Sequence, residues 1–441
     1  MERVATGAWI DRPLMRAVSG LTLAATLAAL AHLYLGSSGT LDAWGRPLGT
    51  DFSNVWTAGR MALEGRAAAV YDLVAHHRVQ QEVHGSAAVP FYGWLYPPPF
   101  LLVAAALATL PYLPALILFQ FATLLPALLV LRRILPDRDT VLVALGCPAV
   151  LVCLTHGHNG FLSAALFGGG LLLLGGGRPA LAGLCFGLLS YKPQFGLLLP
   201  LALLAGGERR AVGAAAATVA GLALLPAALF GPEVWTAFLL SLGQTRTVML
   251  EGGGPGWHTM QSAFAAVRAW GGGVGPAYGA QALVALAAAL ATVWVWRQRA
   301  AFELRAATLV LGSLLATPYG MDYDLVLLGP VLAFLIRDGL RRGFERWELS
   351  AFALAWFMPI AARPLALHGG VPAGFLSLCL LLGLVLGRVR QDLAAVPAEH
   401  QPARREAAPE SEPLCPSRIL PRTRTENTAW TSPSTRSAIS S

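Results

Sequence analysis

Five ionisable side chains in this sequence flank or interrupt long apolar stretches, where a charge is costly. They are His156, His158, Lys192, Asp322 and Asp324. On insertion scales a charged residue at the centre of a membrane-spanning helix costs about 2.5 to 3.5 kcal/mol, so such groups usually face a polar cavity or one another. This pattern predicts a binding or catalytic cavity. The structural alternative is simple ion pairing, such as Lys192 with Asp322.

Two longer segments between the apolar stretches, residues 37–95 and 231–277, hold most of the other polar groups. The first contains Asp51, and the second contains His258 and Gln261. A helix is predicted to begin just after Asp51. Capping that helix is therefore the structural alternative to a chemical role, because aspartate is a favoured N-cap residue.

The spacing of these residues sets two further expectations. His156 and His158 have a spacing that permits metal binding, but no third ligand lies nearby in the sequence, so no metal is predicted. Asp322 and Asp324 are two residues apart and would point to different sides of a helix. We therefore do not expect both to serve one site, and one of them can pair with Lys192.

The composition indicates that a membrane must position these residues. Of the 441 residues 55% are hydrophobic and 13% charged, and the mean hydropathy is +0.58, so there is more apolar surface than a soluble core could bury. Residues 97–131 contain no Asp, Glu, Lys, Arg or His, and about 20 apolar residues suffice to span a bilayer. The net charge of +8 does not indicate nucleic acid, because the basic residues form small clusters between apolar blocks.

The sequence predicts an all-α polytopic membrane protein with about ten to twelve transmembrane helices in residues 1–390. Placing every basic cluster in the cytoplasm gives twelve crossings, with residues 37–95 and 231–277 outside and both termini inside. Residues 391–441 are predicted to be a disordered cytoplasmic tail. The twelve predicted spans lie near residues 16–36, 98–131, 140–155, 159–176, 179–191, 194–207, 211–230, 278–296, 302–318, 321–336, 349–367 and 371–387.

Two of these spans have unusual lengths. Residues 179–191 make only about 20 Å of helix at 1.5 Å per residue, which is short of the hydrocarbon thickness. Residues 98–131 are too long for one upright helix, and Pro111 and Pro114 are expected to divide them. We expect half-helices around Lys192 and a re-entrant piece followed by a full span after residue 98.

Motifs in a fixed order give the sequence a resemblance to glycosyltransferase family 87, the polyprenol-phosphate-mannose-dependent mannosyltransferases of the GT-C superfamily. The similarity covers roughly residues 16 to 340. Its motifs are Asp51, Trp56-Thr-Ala-Gly59, Gly65, Tyr71-Asp72, Tyr96-Pro-Pro-Pro-Phe100, Gly157-His-Asn159-Gly, Tyr191-Lys192-Pro193, Gln261-Ser262, Thr317-Pro318 and Asp322. The sequence departs from the family pattern at His158, where glutamine is usual, and in its glycine-rich second outer segment.

The resemblance implies a GT-C-like fold and transfer of a hexose, mannose-like, or a pentose from a polyprenyl-phosphate donor to a glycolipid or glycan hydroxyl. Such an enzyme would work at the outer face of the cell (inner) membrane, without a cofactor. The family places its acidic catalytic residue at the position of Asp51, which would be the general base. The implied donor-phosphate or substrate contacts are Lys192, His258, His158, Asn159, Gln261 and Asp322.

Two other functions fit a polytopic chain. A secondary transporter commonly has internal repeats and charges reached from both faces. This sequence has no convincing repeat, and its polar groups are concentrated on one face. A non-catalytic protein of envelope assembly is the second alternative. The presence of both Asp51 and Lys192 favours the enzyme.

Overall fold

The structure is a computed structural model that describes residues 1–298 and 300–395. Arg299, which forms a basic cluster with Arg297 in the sequence, lies outside the described residues. So does the predicted tail from residue 396 onward, whereas residues 391–395 continue the last helix. The described residues fold as one compact unit without β-strands.

Twenty α-helices make up most of this unit, together with four 3₁₀ segments and one π-helical turn. The 3₁₀ segments are Ala67–Tyr71, Leu189–Tyr191, Trp257–Thr259 and Asp322–Leu327, and the π-helical turn is Arg246–Glu251. The α-helices are α1 Glu2–Ala5, α2 Arg12–Leu35, α3 Thr50–Leu63, α4 Leu73–His84, α5 Pro99–Ala108, α6 Tyr112–Ile134, α7 Thr140–Leu145, α8 Pro148–His156, α9 Gly160–Gly175, α10 Pro179–Leu188, α11 Pro193–Gly196, α12 Leu199–Ala205, α13 Arg209–Phe230, α14 Glu233–Thr245, α15 Ala263–Ala269, α16 Val274–Arg297, α17 Phe302–Ala316, α18 Leu328–Arg342, α19 Glu348–Gly369 and α20 Ala373–Ala395.

Capping residues and prolines fix where several helices begin. Asp11 caps α2 by accepting a hydrogen bond from the Leu14 amide, and Asp72 caps α4 in the same way. The break predicted at Pro111 is present: α5 ends before it and α6 begins immediately after it. A helix-initial proline is tolerated because the first-turn N–H groups have no partner within the helix.

In the described residues, six helices are long and apolar enough to cross a membrane: α2, α6, α13, α16, α19 and α20. Each coincides with one of the predicted spans. The other six predicted spans are shorter or interrupted helices, as expected for the half-helices around Lys192, where α10, a 3₁₀ turn, α11 and α12 follow one another. The all-α polytopic fold is therefore confirmed.

Helix α17 lies at the centre of the bundle. It packs against α16, α18 and α20, and nearly every one of its side chains is buried. In contrast, few side chains of α2 and α13 are buried, as expected of lipid-facing helices. The core of the protein is thus a helix surrounded by other helices.

Several of the basic residues meet at one end of the bundle, where ion pairs and hydrogen bonds join them. The Nη2 atom of Arg12 lies 2.6 Å from Asp137 and the Nε atom of Arg16 lies 2.8 Å from Asp139. The Trp347 amide donates to the Ala5 carbonyl at 2.6 Å. The same end holds the ion pairs Arg341 with Glu303 at 2.8 Å and Arg388 with Asp338 at 2.7 Å.

The two predicted outer segments lie together at the opposite end. Helix α14 packs against the 3₁₀ segment that precedes α4, and the Tyr71 and Phe238 rings are 5.6 Å apart. The second segment also reaches the turn before α18, because Met260 and Met321 form an isolated antiparallel bridge. The polar residues of both segments are therefore placed above the ends of the short helices.

Candidate functional site

Asp51 is the second residue of α3, and it does not cap that helix. The N-cap residue is Gly49, in the left-handed conformation with φ of 65°, and no side chain caps α3. The half-buried Asp51 carboxylate is thus free of the capping role that was the structural alternative. Its place in the first turn suits a negative charge because the helix dipole is positive there.

The start of α3 is packed tightly against the turn between α8 and α9. Gly157 in that turn has φ of 61°, and a side chain there would overlap Phe52 and the backbone of Gly49. Next to this contact the Thr50 hydroxyl and His156 Nδ1 are 2.8 Å apart and hydrogen-bonded. These close contacts fix the position of the Asp51 backbone relative to the histidines.

Lys192 is buried in an ion pair with Asp324. Its Nζ atom donates to Asp324 Oδ1 at 2.7 Å and lies 3.4 Å from His158 Nε2. The side chains of Lys192 and Asp324 are only 5% and 2% exposed, so the pair is closed to solvent. The Tyr323 ring stacks on His158 at 3.5 Å. The structural alternative considered for Lys192 was an ion pair of this kind, with Asp322 as its example.

Asp322 pairs instead with Arg363 of α19. Arg363 Nε donates to Asp322 Oδ2 at 2.6 Å, and Asp322 Oδ1 accepts from the Tyr323 amide at 2.9 Å. Asp322 is buried, whereas 39% of the Arg363 side chain is exposed. The two aspartates therefore have different partners, as their spacing predicts. Arg363 itself was missed, although an arginine inside a predicted membrane span is a recognisable signal.

The second outer segment brings His258 and Gln261 to the same region. The Gln261 amide donates to the Gly320 carbonyl at 2.6 Å, two residues before Asp322, and the buried Gln261 side chain packs against Gly374. Burial lowers the pKa of His258, and the positive charge of Arg363 lowers it further. The 3₁₀ segment that contains His258 packs against α19, the helix that carries Arg363.

The charges of these groups also affect the pKa of Asp51. Burial raises the pKa of the Asp51 carboxyl, while His156, Lys192 and Arg363 oppose that rise and Asp322 adds to it. The two strong cations among them are engaged by other carboxylates, Lys192 by Asp324 and Arg363 by Asp322. Within residues 1–298 and 300–395, Asp51 has no ion-pair partner, and its carboxylate is partly accessible, which suits a proton acceptor.

Several buried polar atoms nearby have no hydrogen-bond partner among the described residues. They include both amide atoms of Asn159 and Nδ1 of the adjacent His158. Gln120 donates to the His158 carbonyl at 3.4 Å, but its Oε1 is also unpartnered. Buried polar groups in proteins are nearly always hydrogen-bonded, so such a set can provide donors and acceptors to a polar ligand.

The structure therefore gathers Asp51, His158, Asn159, Lys192 and Asp322 at one end of the helices, with His258 and Gln261 contributed by the second outer segment. A separate surface cavity of about 370 Å³, bordered by His77, Arg78 and Gln81 of α4, contains none of these residues.

Fold and site together define a class: an all-helical polytopic membrane protein with a charged polar centre at one end of its helices. The model of glycosyltransferase family 87 matches residues 94–318, just over half of the chain. The chain belongs to glycosyltransferase family 87 and is therefore a membrane glycosyltransferase. This membership supports the transferase over the transporter and the non-catalytic alternatives. No curated protein matches the chain, and no solved structure does.

Proposed function

We propose that the protein transfers a sugar, a mannose-like hexose or a pentose, from a polyprenyl-phosphate donor to a hydroxyl of a glycolipid or glycan. The observation that carries this proposal is the state of Asp51: a partly accessible carboxylate, free of capping bonds, beside two ion pairs. A site formed where short apolar helices end suits a donor whose phosphate lies at the headgroup level of a bilayer.

In the proposed reaction Asp51 is the general base. It takes the proton of the acceptor hydroxyl while that oxygen forms a bond to the anomeric carbon of the sugar. The bond from this carbon to the phosphate oxygen breaks, and polyprenyl phosphate leaves. One base acting in a single displacement gives inversion at the transferred carbon. Stabilising the departing phosphate requires hydrogen-bond donors or positive charge.

The remaining predicted site residues are proposed as substrate contacts. His158 and Asn159 have unpartnered buried atoms suited to sugar hydroxyls. His258 and Gln261 would line the side formed by the second outer segment. For Lys192, a direct contact with the donor phosphate would require its pair with Asp324 to open.

We also propose that the site faces the outside or periplasm of the cell (inner) membrane, with both termini in the cytoplasm. The support is geometric: the ion-paired basic clusters lie at the end of the bundle opposite to the site. Basic residues at helix ends favour the cytoplasmic side.

The test is sugar transfer by the purified full-length protein in lipid, with a panel of polyprenyl-phosphate sugars and a native lipid extract. We expect transfer that depends on the lipid-linked donor and that is lost in Asp51→Asn. Glu82→Gln is the matched control, because Glu82 is an exposed carboxylate in the same outer segment. Absence of transfer from every donor, with solute uptake into vesicles, would instead indicate a transporter.

A further inference from the structure

Arg363 differs from Lys192 in how much of its hydrogen-bonding capacity is already used. Only its Nε atom is engaged, with Asp322 at 2.6 Å. Among the residues that the structure describes, the terminal nitrogens Nη1 and Nη2 have no hydrogen-bond partner, and the side chain is 39% exposed. Lys192 is buried and held by Asp324. Arg363 can therefore bind an anion without breaking any contact.

Asp322 fixes the direction of the guanidinium group. This carboxylate is buried and uses its second oxygen on the Tyr323 amide, so it cannot turn away from Arg363. An arginine held through Nε presents its terminal nitrogens as a planar fork, the geometry that matches phosphate oxygens. The arginine is thus oriented in advance for a two-point contact with a phosphate.

The position of Arg363 along α19 places it near the depth of lipid headgroups. It is six residues before the end of this 22-residue helix at Gly369, or about 9 Å at 1.5 Å per residue. Pro359 and Pro364 lie inside the same helix on either side of it. A membrane-resident phosphate would lie at this level, whereas a soluble anion has no reason to prefer it.

Charged and titratable groups from several parts of the chain surround Arg363. Asp322 pairs with it directly, and the charge of Arg363 lowers the pKa of His258 and opposes the rise at Asp51. His368, five residues further along α19, also lowers the pKa of His258. The open face of Arg363 therefore lies among the groups of the candidate site, with the free carboxylate of Asp51 among them.

We propose that Arg363 binds the phosphate of the lipid-linked donor directly, through Nη1 and Nη2, while Asp322 holds it in position. This proposal rests on the proposed function and identifies the residue that contacts the leaving group. In the transfer reaction the phosphate gains negative charge as its bond to the sugar breaks. A preorganised guanidinium stabilises that charge without rearrangement of the site.

The test is binding of a polyprenyl monophosphate to the full-length protein in nanodiscs, measured by native mass spectrometry. Polyprenol serves as the uncharged ligand and inorganic phosphate as the soluble one. Losing one charge-assisted contact is expected to weaken polyprenyl phosphate binding about 10- to 100-fold in Arg363→Gln, with polyprenol binding unchanged. Arg363→Lys should fall between, because lysine lacks the fork.

Two further variants distinguish a loss of phosphate binding from misfolding. Arg363→Gln with Asp322→Asn removes the guanidinium without leaving a buried carboxylate unpaired, and it should show the same loss. Arg46→Gln is the matched control, since Arg46 is an exposed arginine in the first outer segment, over the Trp44 ring. It should bind as the wild type does.

Several results would overturn the proposal. Unchanged affinity in the double variant would exclude Arg363 as the contact. The proposal would also fail if Arg363→Gln kept its binding of polyprenyl phosphate while the double variant Lys192→Met, Asp324→Asn lost it. That result would assign the phosphate to Lys192. If inorganic phosphate displaced polyprenyl phosphate as well as an equal concentration of the lipid does, a lipid-borne ligand would be excluded. If only an anionic phospholipid displaced it, the site would be assigned to another lipid.

The binding measurement does not depend on turnover, so it separates this proposal from the proposed function. Arg363-dependent binding without sugar transfer would retain the phosphate site and reject the reaction. Sugar transfer with both kcat and the donor KM unchanged in Arg363→Gln would retain the reaction and reject the site.

Discussion

The carboxylate of Asp51, the proposed general base, is expected to lower the stability of the protein. Burial raises its pKa, so folding disfavours the ionised form. That cost is present above the folded-state pKa and disappears as the pH falls below the pKa of the unfolded chain. Asp51→Asn should therefore be at least as stable as wild type at pH 7, with a difference that shrinks towards acidic pH. A lower thermal unfolding temperature for the variant at pH 7 would contradict this.

The same carboxylate sets the expected pH dependence of sugar transfer. If Asp51 is the base as proposed, it must be ionised, so activity should fall as the pH drops through its pKa, which burial raises from the usual carboxyl value. The residual activity of Asp51→Asn, expected to be about 10²- to 10⁴-fold lower, should lack this acidic limb. A profile of kcat/KM against pH for both proteins tests this. An identical limb in the variant would mean that another group titrates.

Lys192 is the only lysine in the chain, and arginine is used at every other strongly basic position. Removing one partner of a buried ion pair typically costs about 3 to 5 kcal/mol, so Lys192→Met should be strongly destabilised and Asp324→Asn should restore part of the loss. Arg60→Met is the control, because its pair with Glu64 is exposed and such pairs contribute at most about 1 kcal/mol. Unfolding in detergent measures each. Equal losses at both sites would refute the comparison.

For individual residues, the sequence indicated which side chains are candidates for the site, but not which residues they pair with. Asp51, His158, Lys192 and Asp322 could be selected because charges beside apolar helices need a polar environment. The pairing of Lys192 with Asp324 depends on the direction of a short 3₁₀ turn, which spacing does not specify. Arg363 was passed over because the segment around it is apolar enough to be assigned as a span.

At the scale of the helices, the close packing of α3 against α5 determines the position of Asp51. Gly59 of α3 touches the backbone at Ala104 of α5, and any side chain there would collide with that carbonyl. Gly59→Ala should destabilise the protein by about 1 to 3 kcal/mol and reduce sugar transfer by displacing α3. Thermal unfolding and transfer rate measure the two effects.

Gly213 of α13 provides the control for that substitution. It is also a helical glycine, but a side chain there would meet no atom within 4 Å. Gly213→Ala should therefore be neutral or stabilising by up to about 1 kcal/mol, because alanine is the better helix former. If the two substitutions had the same effect, the close crossing would not be what positions Asp51.

Across the whole molecule, the two ends of the bundle should face opposite sides of the membrane. In a variant lacking the native cysteines, Ala43→Cys in the first outer segment should react with an impermeant maleimide in intact cells. Arg346→Cys should react only after permeabilisation. Both positions are exposed. Reaction of both, or of Arg346→Cys alone, in intact cells would contradict the proposed orientation.

The sequence located the apolar helical regions better than it described their form. Each of the twelve predicted spans corresponds to helix, since long uncharged stretches in a bilayer have few other ways to satisfy their backbone hydrogen bonds. Hydropathy alone does not reveal which spans are continuous. Residues 302–318 read as an ordinary span, yet α17 is buried by protein on all sides.

The burial of α17 has a consequence for biogenesis. This helix carries Glu303 and Arg305 near its start, and it is covered by α18 and α20, which are synthesised after it. Until α20 leaves the ribosome and docks, α17 is shielded by α16 and α18 but lacks the cover of α20. The centre of the protein is therefore completed only when the last described helix is inserted, so a nascent chain that stalls before residue 373 would present an unfinished core to the quality-control proteases of the membrane.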